Sequence, residues 1–437
     1  MEGFLQFWEN EGLRGFFYIF WFYFLLEFPR HLLLDYLLLP IIYLNKKKNQ
    51  KADHEARRKL WEECPLVSII IPGKDEGKNY YNLVTSLQEQ TYRNFEVIVV
   101  DDGSGDDTKY IGRDLEQRGK IDLFLRNEVR GGKGSAANLA LNYTRGKYIL
   151  HLDADCSFFN DAIEEAILPF YKDENIGAVS CALEVRNSGE SLATAFQTIE
   201  YLLTINVGRM VSSSLGILRI VSGAFGAFRK DLLLEVGGWD VGPGLDGDIT
   251  QKIRKTKWKV VFAPKAVALT DVPVTFSKLA KQRLRWNRSL VRFRLRKHRN
   301  IFFPNKGFRF SNFFSSLDNI VYNQVLNFIW WFYLVFLIFN HRDHLEYILI
   351  AIFLLYTISK FLEFGVVLFV SHHKYDKIKL LPYLPGMVFY TGYFMRTIRT
   401  YAHITELFLY SSFNDPWNPQ KSSSEAKKIE KDLERVF

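Results

Sequence analysis

Three short apolar runs in this chain are each followed within four residues by acidic residues. The runs occupy residues 67–71, 95–100 and 148–152. Short runs rich in Val and Ile predict buried strands of a parallel sheet, and an open parallel sheet binds ligands beyond the ends of its strands. The acids that follow the three runs are Asp75 and Glu76, Asp101 and Asp102, and Asp153 and Asp155. We therefore expect these carboxylates to converge on one cleft.

Such a cluster of carboxylates repels itself unless a cation lies within it. Ligands that are all oxygen favour a hard divalent metal, so we expect Mg2+ or Mn2+ as the cofactor. These metals often complete their coordination with substrate phosphates, and the pattern therefore indicates a nucleotide-bound substrate.

Helical spacing between the apolar runs completes the pattern of an α/β domain. Residues 79–90 and 109–119 carry apolar side chains three and four positions apart. Strand and helix in alternation predict a mixed, mostly parallel sheet over residues 66–275. The apolar stripe of residues 191–218 fits either a helix on a membrane surface or an ordinary core helix.

Aromatic and aliphatic residues accumulate on both sides of this domain. Residues 16–44 predict a membrane anchor kinked at Pro29, and residues 320–339 and 347–370 predict two spans. Residues 380–395 are a third span or a re-entrant segment. The basic residues after position 45 place the following domain in the cytosol by the positive-inside rule. The expected division is 1–45 anchor, 46–65 basic linker, 66–275 catalytic domain, 276–315 interfacial helices, 316–412 membrane region and 413–437 polar tail.

The net charge of +9 is concentrated in one block. Residues 252–299 contain 16 Lys or Arg and one acid, Asp271. Because the block adjoins apolar helices and lacks a nucleic-acid-reading motif, lipid headgroups or a diphosphate suit it better than nucleic acid. The three cysteines share no metal-ligand spacing and are expected to be reduced thiols.

Two glycine-rich segments carry further candidate chemistry. In residues 131–134, glycines surround Lys133, which with the N-terminus of the following helix is expected to bind a diphosphate; the Walker spacing of an ATPase is absent. In residues 242–248, Asp246 is a candidate general base, and Asp248 is expected to cap the helix after it. A plain turn with a cap, without catalysis, is the alternative for this pair.

The motifs together resemble the processive, membrane-integrated branch of glycosyltransferase family 2, which includes hyaluronan, chitin, cellulose and poly-N-acetylglucosamine synthases. The resemblance covers residues 67–299 and the flanking spans. Its ordered elements are Asp101-Asp102, Lys133, Asp153-Ala154-Asp155, Asp246 and Gln282-x-x-Arg285-Trp286. One departure is that the family's Thr-Glu-Asp reads Gly244-Leu245-Asp246 here.

The resemblance implies a GT-A-type (Rossmann-like) fold and a role for each matched residue. Asp102 would hold the uracil of the donor, Asp155 would bind the metal, and Asp246 would be the catalytic base. Trp286 would stack on the acceptor sugar, in front of a loop that contains Ser222 and Gly223. The other donor-side residues would be Asp75, Glu76, Asp101, Lys133, Asp153, Gln282, Arg283 and Arg285.

The function implied is an inverting transferase of the cytoplasmic membrane that extends a β-linked polysaccharide from a UDP-sugar. One base opposite the leaving group predicts inversion, since the metal and the cations stabilise the departing diphosphate. A lipid glycosyltransferase similar to ceramide glucosyltransferase is an alternative, with a lipid as the acceptor. Because Leu245 replaces a family acid, an inactive sugar-nucleotide-binding subunit is a third reading.

Overall fold

The computed structural model describes residues 2–48, 50–240, 242, 244–256, 258–304, 308–370 and 374–414. At its centre lies an eight-stranded mixed sheet with the order β3-β2-β1-β4-β7-β6-β8-β5. The strands are β1 (Val67–Gly73), β2 (Phe95–Asp102), β3 (Leu123–Asn127), β4 (Tyr148–Leu152), β5 (Ser157–Phe158), β6 (Ile176–Val185), β7 (Phe225–Arg229) and β8 (Lys259–Thr270). The three apolar runs are β1, β2 and β4, so the predicted strands and the mostly parallel α/β class are confirmed.

The order of the strands reverses beside β1. The chain moves outward from β1 to β2 and β3, which are parallel to it, and then returns to place β4 parallel to β1 on its other side. Such a reversal opens a crevice at the carboxyl ends of the strands, and ligands bind there in open α/β sheets. The acids that follow β1, β2 and β4 therefore share one edge of the sheet.

Alternate side chains of β1 enter two different cores. Ile69 and Ile71 are fully buried in the cluster that contains Leu83, while Ile70 is buried in the cluster that contains Ala136. Helices thus cover both faces of the sheet, as expected for parallel strands that are apolar on both sides. The helices of this domain are Gln50–Glu63, Gly77–Gln88, Thr108–Gln117, Lys133–Tyr143, Ala162–Ile167, Pro169–Lys172, Leu192–Glu200, Tyr201–Val207, Gly208–Ser214, Lys230–Glu235 and Leu245–Lys255.

The remaining helices lie outside the sheet domain. They are Glu2–Ile19, Tyr23–Leu34 and Asp35–Lys48 before it, and Phe276–Val291, Arg292–Lys297, Arg299–Phe302, Phe310–Ile320, Val321–Val325, Leu326–Asn340, Arg342–His344, Leu345–Val370, Lys374–Ile378, Leu381–Tyr383, Leu384–Phe389, Tyr390–Phe394, Met395–Leu409 and Ser411–Asn414 after it. Within the described ranges, Phe310–Asn340 and Arg342–Phe369 are long and apolar enough to cross a membrane, with mean hydropathies of 1.5 and 1.8.

The region predicted as a third span or re-entrant segment is helical and packs inside the protein. Leu384 and Tyr390 are buried in one cluster with Phe196 and Ile199 from the apolar stripe. Because the C-terminal helices cover the apolar stripe, these contacts fit the interpretation of the stripe as a core helix.

Two local expectations differ from the structure. The basic linker is largely the helix Gln50–Glu63, whose Ala56 and Leu60 are buried in the core of the sheet domain. Asp248 does not cap the helix Leu245–Lys255, which begins at Gly244 without a side-chain cap. Most of the predicted polar tail lies outside the described residues.

Candidate active site

The lysine of the glycine-rich segment lies at the sheet edge together with three acids. Lys133 opens the helix Lys133–Tyr143 and its Nζ donates a hydrogen bond to Asp153, which follows β4 directly. Burial alone would lower the pKa of Lys133, but Asp153, Asp246 and Asp155 raise it. The lysine is therefore a cation held among carboxylates, as a site for a diphosphate requires.

Glu76 and Asp155 form the rest of this acidic group. Glu76 follows β1 and accepts a hydrogen bond from Asn79 Nδ2 at 2.5 Å. Burial raises the pKa of Glu76, and Asp155 and Asp153 raise it further. Burial and the neighbouring Asp153 likewise raise the pKa of Asp155. The pKa values of both carboxyl groups are thus raised first by burial and then by neighbouring negative charges.

Asp246 is held between the lysine and the backbone of Gly223. Gly244 has φ +89°, a left-handed conformation that favours glycine, and the helix that follows carries Asp246 in its first turn. The Asp246 carboxylate accepts a hydrogen bond from the backbone N–H of Gly223, while burial raises its pKa. A carboxylate with a raised pKa at a cleft is a suitable general base.

The departure at Leu245 is explained by packing. Leu245 is 8% exposed and belongs to the apolar cluster that contains Ala136 and Ala137. A Cβ placed on Gly134 would lie 2.8 Å from Leu245 Cδ1. Leu245 therefore packs against the glycine-rich segment that contains Lys133. It lies beside the acidic group and is not part of it.

A buried histidine, which the sequence pattern did not single out, contacts the backbone of Gly223. His151 Nδ1 lies 2.6 Å from the carbonyl oxygen of Gly223. Because a carbonyl oxygen only accepts, Nδ1 carries the hydrogen, and burial lowers the pKa of His151 to about 4, so the ring is neutral at pH 7. The sequence feature that could have indicated this residue is a histidine inside an apolar strand. Ser222, predicted with Gly223, is also buried here.

Asp102 binds the glycine-rich segment through both carboxylate oxygens. Its Oδ1 accepts from Gly131 N at 2.8 Å and Asn127 Nδ2 at 3.0 Å, and its Oδ2 accepts from Gly132 N at 2.8 Å. Asp102 thus fixes the backbone that leads into Lys133. Its predicted contact with a uracil stays a prediction.

Asp75 and Asp101 do not join the acidic group. Asp101 is fully buried and accepts from Arg126 at 2.7 Å and from Ser104 N at 2.9 Å. Asp75 pairs with Lys74 at 2.9 Å and accepts from Gly105 N at 3.0 Å, and these contacts lower its pKa. Of the six acids expected to converge, Glu76, Asp153 and Asp155 therefore do so.

The Gln-x-x-Arg-Trp motif lies on the helix Phe276–Val291. Arg283 is 6% exposed; its guanidinium donates to Glu200 at 2.8 Å and lies 4.4 Å from the centre of the Trp286 ring. Trp286 remains 38% exposed, and the Gln282 side-chain oxygen is buried without a partner in the described part of the chain. Arg283 thus orients Trp286, while donor contacts of Gln282, Arg283 and Arg285 stay predictions.

Arg209 is a second site residue that the sequence did not reveal. It lies on the helix Gly208–Ser214 and donates to Ser180 Oγ at 3.1 Å and to the Cys181 carbonyl at 3.3 Å. Burial lowers its pKa to about 10, and the nearby Asp246 opposes that effect. Arg209 is therefore still charged at neutral pH beside the candidate base.

The donor set fits a hard divalent cation that needs additional ligands. Asp155 and Glu76 present buried carboxylates with raised pKa values, and Asp153 lies beside them. No group of three His, Cys, Asp or Glu that would hold a metal unaided occurs in the part of the chain that the structure describes. Carboxylates that leave room for phosphate oxygens are typical of Mg2+ and Mn2+ sites in nucleotide enzymes.

The sheet domain has a GT-A-like fold. A mannosyltransferase from Pyrobaculum calidifontis, solved in complex with GDP-Man and Mn2+, has the same fold: the TM-score is 0.53 at 19% identity, over 86% of this chain and 99% of that one. Residues 68–237 match the model described as glycosyl transferase family 2. This part of the chain is thus similar to family 2 glycosyltransferase domains.

Its similar relatives include bacterial polysaccharide synthases. Poly-beta-1,6-N-acetyl-D-glucosamine synthase of Staphylococcus epidermidis is 30% identical over 221 residues, 50% of this chain and 53% of the relative. The same-named protein of Staphylococcus aureus strain COL is 27% identical over 244 residues, 56% of this chain and 57% of the relative. The chain spans about half the length of these relatives.

Proposed function

We propose that this protein is an inverting membrane glycosyltransferase that adds a sugar from a UDP-sugar to a growing β-linked polysaccharide. The observation that carries the proposal is the meeting of Lys133, Asp153 and Asp246 at the strand ends of a family 2 domain. The name of the relatives makes UDP-N-acetylglucosamine the donor that we expect to be used.

The proposed reaction divides its work between a base and a set of cations. Asp246 takes the proton of the acceptor hydroxyl, and the freed oxygen attacks the anomeric carbon from the side opposite the diphosphate. Lys133 stabilises the charge that develops on the departing diphosphate, because it is a cation held in place before the reaction. A divalent metal bound by Asp155, with Glu76 and Asp153 beside it, would neutralise the diphosphate further.

The acceptor would approach Asp246 from the side of Trp286 and Gly223. The exposed ring of Trp286 offers a flat surface for the C–H groups of a sugar, and Arg283 fixes its orientation. We further propose that the helices Phe310–Asn340 and Arg342–Phe369 cross the cytoplasmic membrane and that the catalytic domain faces the cytosol.

The experiment is UDP release by purified full-length protein with Mg2+ or Mn2+. UDP-glucose, UDP-N-acetylglucosamine and UDP-glucuronate are tested separately, with Asp246→Asn as the inactive variant and Asp114→Asn as the control. Asp114 lies on an outer helix and pairs with Arg118. We expect release from UDP-N-acetylglucosamine, a fall of at least about 100-fold in Asp246→Asn, and unchanged turnover in the control.

Product analysis separates the polymer from a lipid product. A ladder of polysaccharide supports the proposal, whereas a single glycolipid assigns the lipid transferase instead. Absence of metal-dependent UDP release from all three donors would leave only the inactive, nucleotide-binding reading.

A further inference from the structure

A large cavity, lined by both apolar and charged side chains, lies between the sheet domain and the helices outside it. Its volume is about 460 Å3, within the range of ligand sites. Arg209, beside the candidate base, lies in its wall on the side of the sheet domain, and Asn327 and Arg399 line it on the side of the C-terminal helices. Through Arg209, the cavity therefore adjoins the surroundings of Asp246 and extends to the C-terminal helices.

Each of the four acids that line the cavity is already paired with a cation. Glu27 pairs with Arg396, and Glu200 with Arg283 at 2.8 Å. The other two acids that line the cavity are Asp318 and Glu363. Asp318 is shared by Arg30 and Arg219, each at 2.8 Å, and Glu363 pairs with Lys360 at 2.6 Å.

Two arginines of the lining have no carboxylate partner in the described part of the chain. Arg209 donates only to a hydroxyl and to a carbonyl. The Nε of Arg399 is buried without a hydrogen-bond partner among the described residues. A buried guanidinium that has no carboxylate beside it keeps an uncompensated charge, so the cavity has a positive charge that a bound anion would compensate.

Arginines behind the wall add to this positive charge. Arg254 and Arg294 are 4% and 3% exposed and lie close enough to Arg219 for their charges to interact. Asp318 is the acid that opposes this charge at Arg294. Nε and one terminal nitrogen of Arg294 lack partners among the described residues. The excess of cations therefore extends beyond the lining itself.

The cavity also presents an unused neutral acceptor. Asn327 is 2% exposed; its Nδ2 donates to Thr400 at 2.5 Å, while its Oδ1 has no partner in the residues described. An amide oxygen of this kind accepts from a hydroxyl group. The site thus complements a molecule that carries both hydroxyl groups and an anion.

We infer that this cavity binds the acceptor through a sugar that bears a carboxylate or a phosphate. The inference rests on the proposed function and names the class of the acceptor: the anion binds Arg399 and Arg209, and a neighbouring hydroxyl binds Asn327. Two sources supply this chemistry, a water-soluble acidic oligosaccharide and a sugar phosphate at the head of a lipid.

Binding without turnover tests the inference separately from catalysis. Full-length Asp246→Asn protein in detergent is titrated with tetragalacturonate, with neutral chitotetraose and with polyprenyl phosphate glucose, which is the lipid phosphate of this test. We expect the acidic tetrasaccharide or the lipid phosphate to bind at least about tenfold more tightly than chitotetraose. Arg399→Gln should remove that preference, and Arg118→Gln, a substitution at an exposed arginine, should retain it.

The outcomes separate the two sources and the two proposals. Displacement of tetragalacturonate by the lipid phosphate assigns the lipid-linked acceptor. Tight binding of the tetrasaccharide alone assigns the water-soluble acceptor. The inference is overturned if the protein with the native cavity residues binds neither anion more tightly than chitotetraose, even if UDP release is observed. Anion binding in a protein that releases no UDP refutes only the proposed function.

Discussion

Replacement of Gly223 by alanine tests whether the backbone beside Asp246 positions the proposed base. A Cβ added to Gly223 would lie 2.3 Å from Asp246 Oδ1 and 2.9 Å from its Cγ. Ordinary contacts of a Cβ begin at 3.4 Å, so the carboxylate must withdraw by about 1 Å. The substitution therefore moves the base without changing its chemistry.

The expected loss follows from that displacement. A shift of about 1 Å in the groups that align a reaction costs roughly 100-fold in rate, or about 2.7 kcal/mol of activation free energy. Overpacking of this kind also costs roughly 1–3 kcal/mol of stability. We therefore expect kcat for UDP release to fall about 100-fold, with little change in the KM of the donor.

The assay combines steady-state UDP release with thermal unfolding in the same detergent. Gly189→Ala is the matched control, because a Cβ there meets no atom within 4 Å. The control should retain its kcat and its Tm. A Gly223→Ala protein that folds and keeps its kcat within threefold would refute the assignment of Asp246 as a base held by this backbone.

Three further predictions concern residues around the site. His151→Leu removes the donor to Gly223 and should lower kcat about tenfold, while His151→Asn, whose amide reaches the same carbonyl, should restore most of it. Asp102→Ala should speed amide hydrogen exchange at residues 131–132 about tenfold, because both backbone N–H groups lose their acceptor. Asp248→Asn should lower Tm at pH 7 but not near pH 2. Burial would raise the pKa of Asp248, but hydrogen bonds from His298 and Lys297 lower it to about 2, so its stabilisation is present above about pH 4 and is lost as pH falls toward 2.

Each of these predictions has an outcome that contradicts it. Equal kcat values for His151→Leu and the native protein would show that the imidazole does not position Gly223. Unchanged exchange at residues 131–132 would mean that other contacts hold the segment. A destabilisation by Asp248→Asn that persists unchanged at pH 2 would arise from lost packing and not from its charge.

The sheet and the edge that carries the site follow from local sequence. Runs of Val and Ile predicted buried parallel strands, and the acids that follow these runs were therefore predicted to lie at one edge of the sheet. Lys133 was predicted to lie with them because glycines and a helix start indicated a phosphate site. The glycine-rich segment at residues 242–248 made Asp246 a candidate general base, and the family 2 resemblance implied the same role.

Long-range contacts decided what the sequence did not reveal. Asp101 was expected in the cleft, but the parallel neighbour β3 places Arg126 beside it and binds its carboxylate. Arg209 and His151 act through partners far away in the chain, so no local spacing marks them. The apolar stripe fitted two readings because a membrane surface and a packed helix bury the same side chains.

The contacts of Glu200 join the helix of Trp286 to the C-terminal helices. One carboxylate oxygen accepts from Arg283 at 2.8 Å and from the Tyr390 hydroxyl at 2.7 Å. In the membrane placement proposed above, thinner or thicker bilayers change the tilt of the C-terminal helices, and this link would transmit the change to the helix that carries Trp286. Turnover in nanodiscs should therefore vary with the acyl-chain length of the lipid. Tyr390→Phe should weaken this dependence of turnover on acyl-chain length.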